Sequence, residues 1–147
     1  MVAPILDMHL WEEEVQKNGL TNFLKNLAEG DVLKSAQAHP KVFSLLSQML
    51  LSYSGWHFFN DDPVEQIINN KAPSPEILKS IKTPTLILIG ELENTTRRGN
   101  KIIEVANILE SNIPNSKKVI LPGVGHMSNM ENPKNFNKEV LNFIKEY

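Results

Sequence analysis

The stretch Val119-Ile-Leu-Pro-Gly-Val-Gly-His126 decides the fold of this chain. Its apolar run predicts a short buried strand, and the Pro-Gly pair after it predicts a tight turn. The turn presents His126 on a loop flanked by glycine, immediately before a predicted helix. A histidine at the carboxyl end of a strand lies where ligands collect in a parallel sheet, which makes it a candidate general base.

The segment from residue 81 to the end alternates strands with helices. Pro84-Thr-Leu-Ile-Leu-Ile89 is a continuous apolar run closed by Gly90, which is typical of a strand buried on both faces. The predicted helix between the strands presents one apolar face, formed by Ile102, Val105, Ala106, Leu109 and Ile113. The predicted last helix, capped at Asn132-Pro133, has a face formed by Phe136, Val140, Phe143, Ile144 and Tyr147. The order strand, helix, strand, helix predicts an α/β fold with parallel strands.

An acidic loop follows the first of these strands. Gly90-Glu-Leu-Glu-Asn94 and the loop ending in His126 both come directly after strands that we expect to be neighbours. A carboxylate from the first loop could therefore reach the imidazole on the second. Such a pair is an orienting acid and a base, because the acid fixes the tautomer and stabilises the imidazolium that forms.

The preceding part of the chain is helical in pattern. Leu20, Phe23, Leu24 and Leu27 predict a helix that ends at Gly30, and a second apolar stripe begins after Pro40 and closes at Gly55. The motifs Asp61-Asp-Pro63 and Ser74-Pro75-Glu76 predict two further helix starts. Two alternatives stay open for the aromatic residues of this part, since they either line an apolar pocket or belong to the core; they are Trp11, Trp56, Phe58 and Phe59. The other three histidines lack a motif, so surface or cap positions are expected for His9, His39 and His57.

Composition excludes several classes of function. The 147 residues carry 15 Lys and Arg against 17 Asp and Glu, a net charge of -2 with both signs interspersed. This balance argues against a nucleic-acid or membrane surface. The apolar run at residues 1–7 has no basic residue and is interrupted by Pro4 and Asp7, so we expect neither a signal peptide nor a membrane anchor there, and a cytoplasmic protein. There is no cysteine, which excludes thiol catalysis and cysteine-ligated metal. Glu12-Glu-Glu14 is a solvated helix start without a histidine pattern, and we expect neither metal nor cofactor.

The segment from Ile81 to Tyr147 resembles the carboxy-terminal portion of α/β-hydrolases, and is most similar to the esterase and enol-lactonase type. The resemblance is carried by 81-IKTPTLILIGELE-93, by Ile113-Pro114, by 119-VILPGVGHM-127 and by Glu131-Asn-Pro133. It implies that Glu93 is the acid and His126 the base of a catalytic triad, with Glu91 as the local competitor for the acid. It also implies that residues 1–7 form a strand, that residues 8–80 form a helical cap and connecting helices, and that residues 1–147 are one truncated hydrolase domain with about three parallel strands.

No Gly-x-Ser-x-Gly motif accompanies the histidine, and Ser128, two residues beyond it, is not expected to serve as a nucleophile. The resemblance therefore implies that the serine and the oxyanion hole lie outside this chain. Two classes of function follow: part of a hydrolase of carboxylic esters or lactones, or a non-catalytic protein that keeps the scaffold. In either case an exposed edge near residues 1–6 predicts a homodimer or a complementing amino-terminal chain.

Overall fold

The computed structural model describes residues 8–60, 75–95 and 99–147. Its helices are α1 (Met8–Asn18), α2 (Leu20–Glu29), α3 (Lys34–Gln37), α4 (Pro40–Leu51), α5 (Pro75–Ser80), α6 (Gly99–Asn112), α7 (Ser128–Glu131) and α8 (Pro133–Glu146). Its strands are β1 (Thr85–Gly90) and β2 (Ser116–Leu121). Short 3₁₀ helices span Asp31–Leu33, Trp56–Phe58 and Glu91–Thr95. The strand predicted at residues 1–7 and the helix start predicted at residues 61–63 lie outside the described residues.

The two strands pair in parallel. Their register runs from Thr85 opposite Ser116 to Gly90 opposite Leu121. Both therefore end at the same edge of the sheet, where the acidic loop and the histidine loop begin. The second strand starts at Ser116, two residues before the start that the pattern Lys118-Val-Ile-Leu121 predicts.

Helices cover the two faces of this sheet. Successive side chains of a strand point to opposite faces, and the two lysines of β2 show which helix lies on each. Lys118 binds Asn107 and Glu110 on α6, whereas Lys117 binds Glu146 on α8 at 2.8 Å. The hydrogen bond to the Glu146 carboxylate raises the pKa of the Lys117 ammonium above its ordinary value of 10.5. The α6 face holds the sheet's core cluster of Ile87, Ile89 and Ala106.

The helical segment, residues 8–60, contains two further apolar clusters. The first joins α1 and α2 to the 3₁₀ turn at Trp56–Phe58 through Val15, Phe23, Leu24 and Phe58, and Trp11 packs against it. Phe23 contacts both Trp11 and Phe58, with ring centroids 5.6 and 5.2 Å apart. Trp56 and Phe59 are instead more than half exposed. The aromatic residues of this segment therefore divide between the core and the surface.

The second cluster, which we call the docking cluster, joins the helical segment to the histidine loop. Its buried members Leu33, Ala36 and Leu46 come from the helical segment, and Met127 and Met130 pack against them. Ala36 is fully buried. The segment predicted as a cap is thus in direct contact with the loop that carries His126.

Helix boundaries follow local chemistry. Pro40 and Pro75 are the first residues of α4 and α5, where a missing N–H costs nothing. Asn132 caps α8, because its side chain accepts a hydrogen bond from the Asn135 N–H at 3.2 Å. The apolar stripe predicted to run on to Gly55 stops sooner, since α4 ends at Leu51. Among the described residues no helix has the length and apolarity needed to cross a bilayer.

Candidate active site

The acidic loop is a 3₁₀ helix that continues directly from β1. Residues Glu91–Thr95 form it, and its three residues per turn point Glu91 and Glu93 in different directions around the axis. Glu93 is turned inward and is only 2% exposed, whereas Glu91 is exposed. The two carboxylates that the sequence left in competition therefore have different environments.

Glu93 contacts the imidazole of His126. Its Oε1 atom lies 2.7 Å from Nδ1, with the glutamate side chain 3% exposed and the histidine side chain 43% exposed. A carboxylate only accepts hydrogen bonds, so Nδ1 carries the proton and the Nε2 lone pair is left available. No hydrogen bond joins Nε2 to any residue within the described ranges. The structure thus brings together the two residues that the resemblance paired.

Glu91 has a different role in the same junction. Its Oε2 accepts a hydrogen bond from the Gly123 N–H at 2.9 Å, at the turn that begins the histidine loop. Between the two glutamates, the Leu92 N–H donates to the Val124 carbonyl at 2.9 Å. Three consecutive residues of the acidic loop therefore each bind the histidine loop, and only Glu93 binds the ring.

Gly90 allows the two loops to come this close. A β-carbon at this position would lie 2.3 Å from the Gly125 carbonyl oxygen and 2.5 Å from that of Val124. Both neighbours are backbone atoms, which cannot move aside as the end of a side chain can. The absence of a side chain at the end of β1 is therefore a condition for the contact between Glu93 and His126.

A third carboxylate lies near His126, and the sequence patterns did not indicate it. Glu131, on α7, accepts hydrogen bonds from the Gly125 N–H at 2.9 Å and the Met127 N–H at 3.2 Å. It also accepts one from the hydroxyl of Ser35 on α3. A glutamate that reaches back to amides at the start of its own helix resembles the capping box, and that spacing was the available signal. Nothing in the sequence links Ser35 to a residue 96 positions away.

The remaining candidates lie apart from this pair. Ser128 is buried in the first turn of α7. His39 is exposed, and His57 binds the hydroxyl of Tyr53.

A cavity of about 280 Å³ in the helical segment is lined by Trp11 and Phe23 among others, but not by His126 or Glu93. In residues 8–60, 75–95 and 99–147 no group of three histidine or acidic side chains is placed to hold a metal ion.

Comparison with solved structures decides the fold. The chain matches MenH from S. aureus with a TM-score of 0.73 and 24% identity, over 93% of this chain and 49% of that one. It has part of the α/β-hydrolase fold. A second match is Est816, described as an N-acyl homoserine lactone degrading enzyme, with a TM-score of 0.58 and 22% identity over 90% of this chain and 50% of that one. The chain thus spans about half the length of each of these proteins, as expected for a carboxy-terminal portion. No protein-family model and no curated protein sequence matches it.

Proposed function

We propose that this chain supplies the acid and the base of a serine-hydrolase site that acts on carboxylic esters or lactones. The observation that supports this most directly is the 2.7 Å contact between Glu93 and His126 at the carboxyl ends of two neighbouring parallel strands. An imidazole with a buried carboxylate on Nδ1, in a side chain that is 43% exposed, is equipped to take up a proton at Nε2. The description of Est816 as a lactone-degrading enzyme supports the substrate class.

In the proposed reaction His126 moves one proton twice in each half-reaction. Nε2 takes the proton of a serine hydroxyl as its oxygen bonds to the substrate carbonyl carbon. It then gives that proton to the departing alcohol oxygen, which leaves an acyl-enzyme. In the second half-reaction Nε2 takes a proton from water as the water oxygen bonds to the acyl carbon. It then returns that proton to the serine oxygen as the bond between serine and the acyl carbon breaks and the acid leaves. Glu93 accepts the Nδ1–H throughout and stabilises the imidazolium while it exists.

The serine and the oxyanion-hole donors come from another polypeptide segment in this proposal, since these 147 residues contain no Gly-x-Ser-x-Gly motif. That absence equally favours a second candidate, a non-catalytic protein that keeps the hydrolase scaffold. The two candidates differ in what happens when a nucleophile is provided.

A chimera tests the proposal. The part of Est816 that this chain matches is replaced by the chain, and p-nitrophenyl acetate and an N-acyl homoserine lactone are offered as substrates. We expect turnover that His126→Ala abolishes. We expect Glu93→Gln to lower kcat by about 10⁴-fold, because the tautomer is no longer fixed.

Glu91→Gln is the matched control, since Glu91 is two residues away and binds backbone rather than the ring. It should lower kcat by less than about 10-fold, against the far larger loss on removing a residue that acts on the base. A folded chimera that has no turnover, or whose turnover is unchanged by His126→Ala, would favour the non-catalytic candidate. Ester hydrolysis by the isolated chain that disappears in His126→Ala would contradict an external nucleophile.

A further inference from the structure

One carboxylate holds the backbone on both sides of the candidate base. Glu131 binds the N–H groups of Gly125 and Met127 through different oxygens, Oε2 and Oε1. Those two amides bracket the four backbone torsions of Gly125 and His126. Glycine is the residue with the most backbone freedom. The two hydrogen bonds to Glu131, from the Gly125 N–H and the Met127 N–H, therefore restrict the backbone rotations that would change the orientation of the imidazole.

The same carboxylate is bound by the helical segment. The Ser35 hydroxyl donates to Oε2, the atom that also accepts from Gly125. Three donors thereby occupy both oxygens and fix the plane of the carboxylate. Without the Ser35 hydroxyl, each oxygen of Glu131 would keep only one donor, and both of these donors are backbone N–H groups of the histidine loop.

The hydrogen bond between Ser35 and Glu131 depends on the packing of the helical segment against the histidine loop. Ala36, next to Ser35, is fully buried in the docking cluster, where Met127 and Met130 pack from the other side. A β-carbon on Gly125 would lie 2.6 Å from the Ser35 β-carbon, so the loop and α3 are already at closest approach. Ser35 therefore reaches Glu131 only when the docking cluster is closed.

We propose that Glu131 is a positioning residue for His126, and that Ser35 makes this positioning depend on docking of the helical segment against the histidine loop. The proposal rests on the proposed role of His126 as a base. It implies that a displacement of the helical segment changes the orientation of the His126 imidazole.

Nuclear magnetic resonance of the 147-residue chain tests this without catalysis. The imidazole nitrogen shifts of His126 report its tautomer, its Nδ1-bound proton reports the bond to Glu93, and amide exchange reports the clamp at Gly125 and Met127. We expect Glu131→Gln and Glu131→Asp both to accelerate exchange at these two amides by about 10-fold or more, as expected when a hydrogen bond to a charged group is lost. Both should also cause the loss of the slowly exchanging Nδ1 proton.

The aspartate variant separates geometry from charge. It keeps the negative charge but is one methylene shorter, so wild-type behaviour of Glu131→Asp together with loss in Glu131→Gln would overturn positioning in favour of simple electrostatics. Glu104→Gln, an exposed charge removal on α6, is the control and should leave every His126 signal unchanged. Unchanged His126 signals in both Glu131 variants would also overturn the proposal.

Ser35→Ala tests the dependence on docking, and it decides the matter if the Glu131 variants do not fold. This substitution keeps the Glu131 carboxylate and its hydrogen bonds to the Gly125 and Met127 N–H groups. Since one of the three donors is lost, we expect about 3-fold faster amide exchange at Gly125 and a mixture of His126 tautomers. A Ser35→Ala chain with wild-type His126 signals would overturn the role of Ser35. These outcomes differ from failure of the proposed function, which would show as an inactive chimera while the resonance changes persist.

Discussion

The histidine loop is held from two sides by different kinds of interaction. On the sheet side, Glu91, Leu92 and Glu93 each make one directed hydrogen bond to it. On the helical side, the docking cluster packs apolar side chains against Met127 and Met130, and Ser35 adds one polar contact through Glu131. Hydrogen bonds depend on angle whereas apolar burial does not. The sheet side therefore binds the imidazole directly, and the helical side holds the backbone that carries it.

The two sides should also respond differently to substitution. The sheet side requires that residue 90 have no β-carbon, because the backbone at the end of β1 is in contact with the backbone of the histidine loop. The helical side requires that volume be filled, because buried leucine and alanine side chains make its contacts. Adding a methyl group tests the first requirement, and removing methyl groups tests the second.

The largest effect is expected from Gly90→Ala. The new β-carbon would meet two carbonyl oxygens at 2.3 and 2.5 Å, so the loops must separate and the contact between Glu93 and His126 must open. We expect the free energy of unfolding to fall by about 3 kcal/mol or more, at the upper end for overpacking, as measured by urea denaturation.

Gly123→Ala is the matched control for this substitution. It lies on the histidine loop that Gly90 approaches, with a φ of 69°, but has no atom within 4 Å of an added β-carbon. Its cost is therefore limited to about 1–2 kcal/mol of backbone strain. Equal losses in the two variants would contradict the role of close approach at Gly90.

On the helical side, Leu46→Ala should be the next largest. Leu46 is 5% exposed in the docking cluster, and truncating a buried leucine costs about 2–3 kcal/mol even where the cavity partly collapses. The neighbouring Leu45→Ala is the control, because Leu45 is 52% exposed and should change stability by less than about 0.5 kcal/mol. Similar midpoints for the two variants in urea denaturation would show that the docking cluster does not hold the helical segment.

The two sides also differ in how far the sequence predicts them. The strands before Gly90 and before Pro122 follow from continuous apolar runs, and their parallel pairing follows from the helix between them. Both loops then lie at the same edge, so the meeting of an acidic side chain with His126 is predictable from chain order alone. The choice of Glu93 over Glu91 came from the resemblance. The 3₁₀ helix that points the two side chains in different directions is only five residues long, too short to give a periodic pattern in the sequence.

The helical side was predictable only as helices. The apolar spacing that predicts α2 and α4 says which residues are buried but not against what. The hydrogen bond of Ser35 with Glu131, and the packing of Met127 against the docking cluster, join residues far apart in the chain. Such pairs depend on the packing of the whole segment, which periodicity does not determine. The strand predicted at residues 1–7 and the pairing predicted at its edge stay predictions.

The smallest change in the free energy of unfolding is expected from Asn132→Ala, which tests whether Glu131 is held from the helical side or from the sheet side. Asn132 follows Glu131 and caps α8, which packs on the sheet. Asn132→Ala should cost about 1 kcal/mol, as for other caps, with faster amide exchange at Asn135. Exchange at Gly125 should change by less than about 2-fold, because α7 is tied independently to the Met127 carbonyl by the N–H groups of Met130 and Glu131, both at 2.8 Å.

The control for this variant is Asn142→Ala on the exposed face of α8, which should leave stability within about 0.5 kcal/mol because alanine has the higher helix propensity. If Asn132→Ala instead accelerates exchange at Gly125 as strongly as at Asn135, the carboxylate of Glu131 is held by the sheet through α8. Orientation of the base would then be set wholly from one side, and the division between the two sides of the histidine loop would fail.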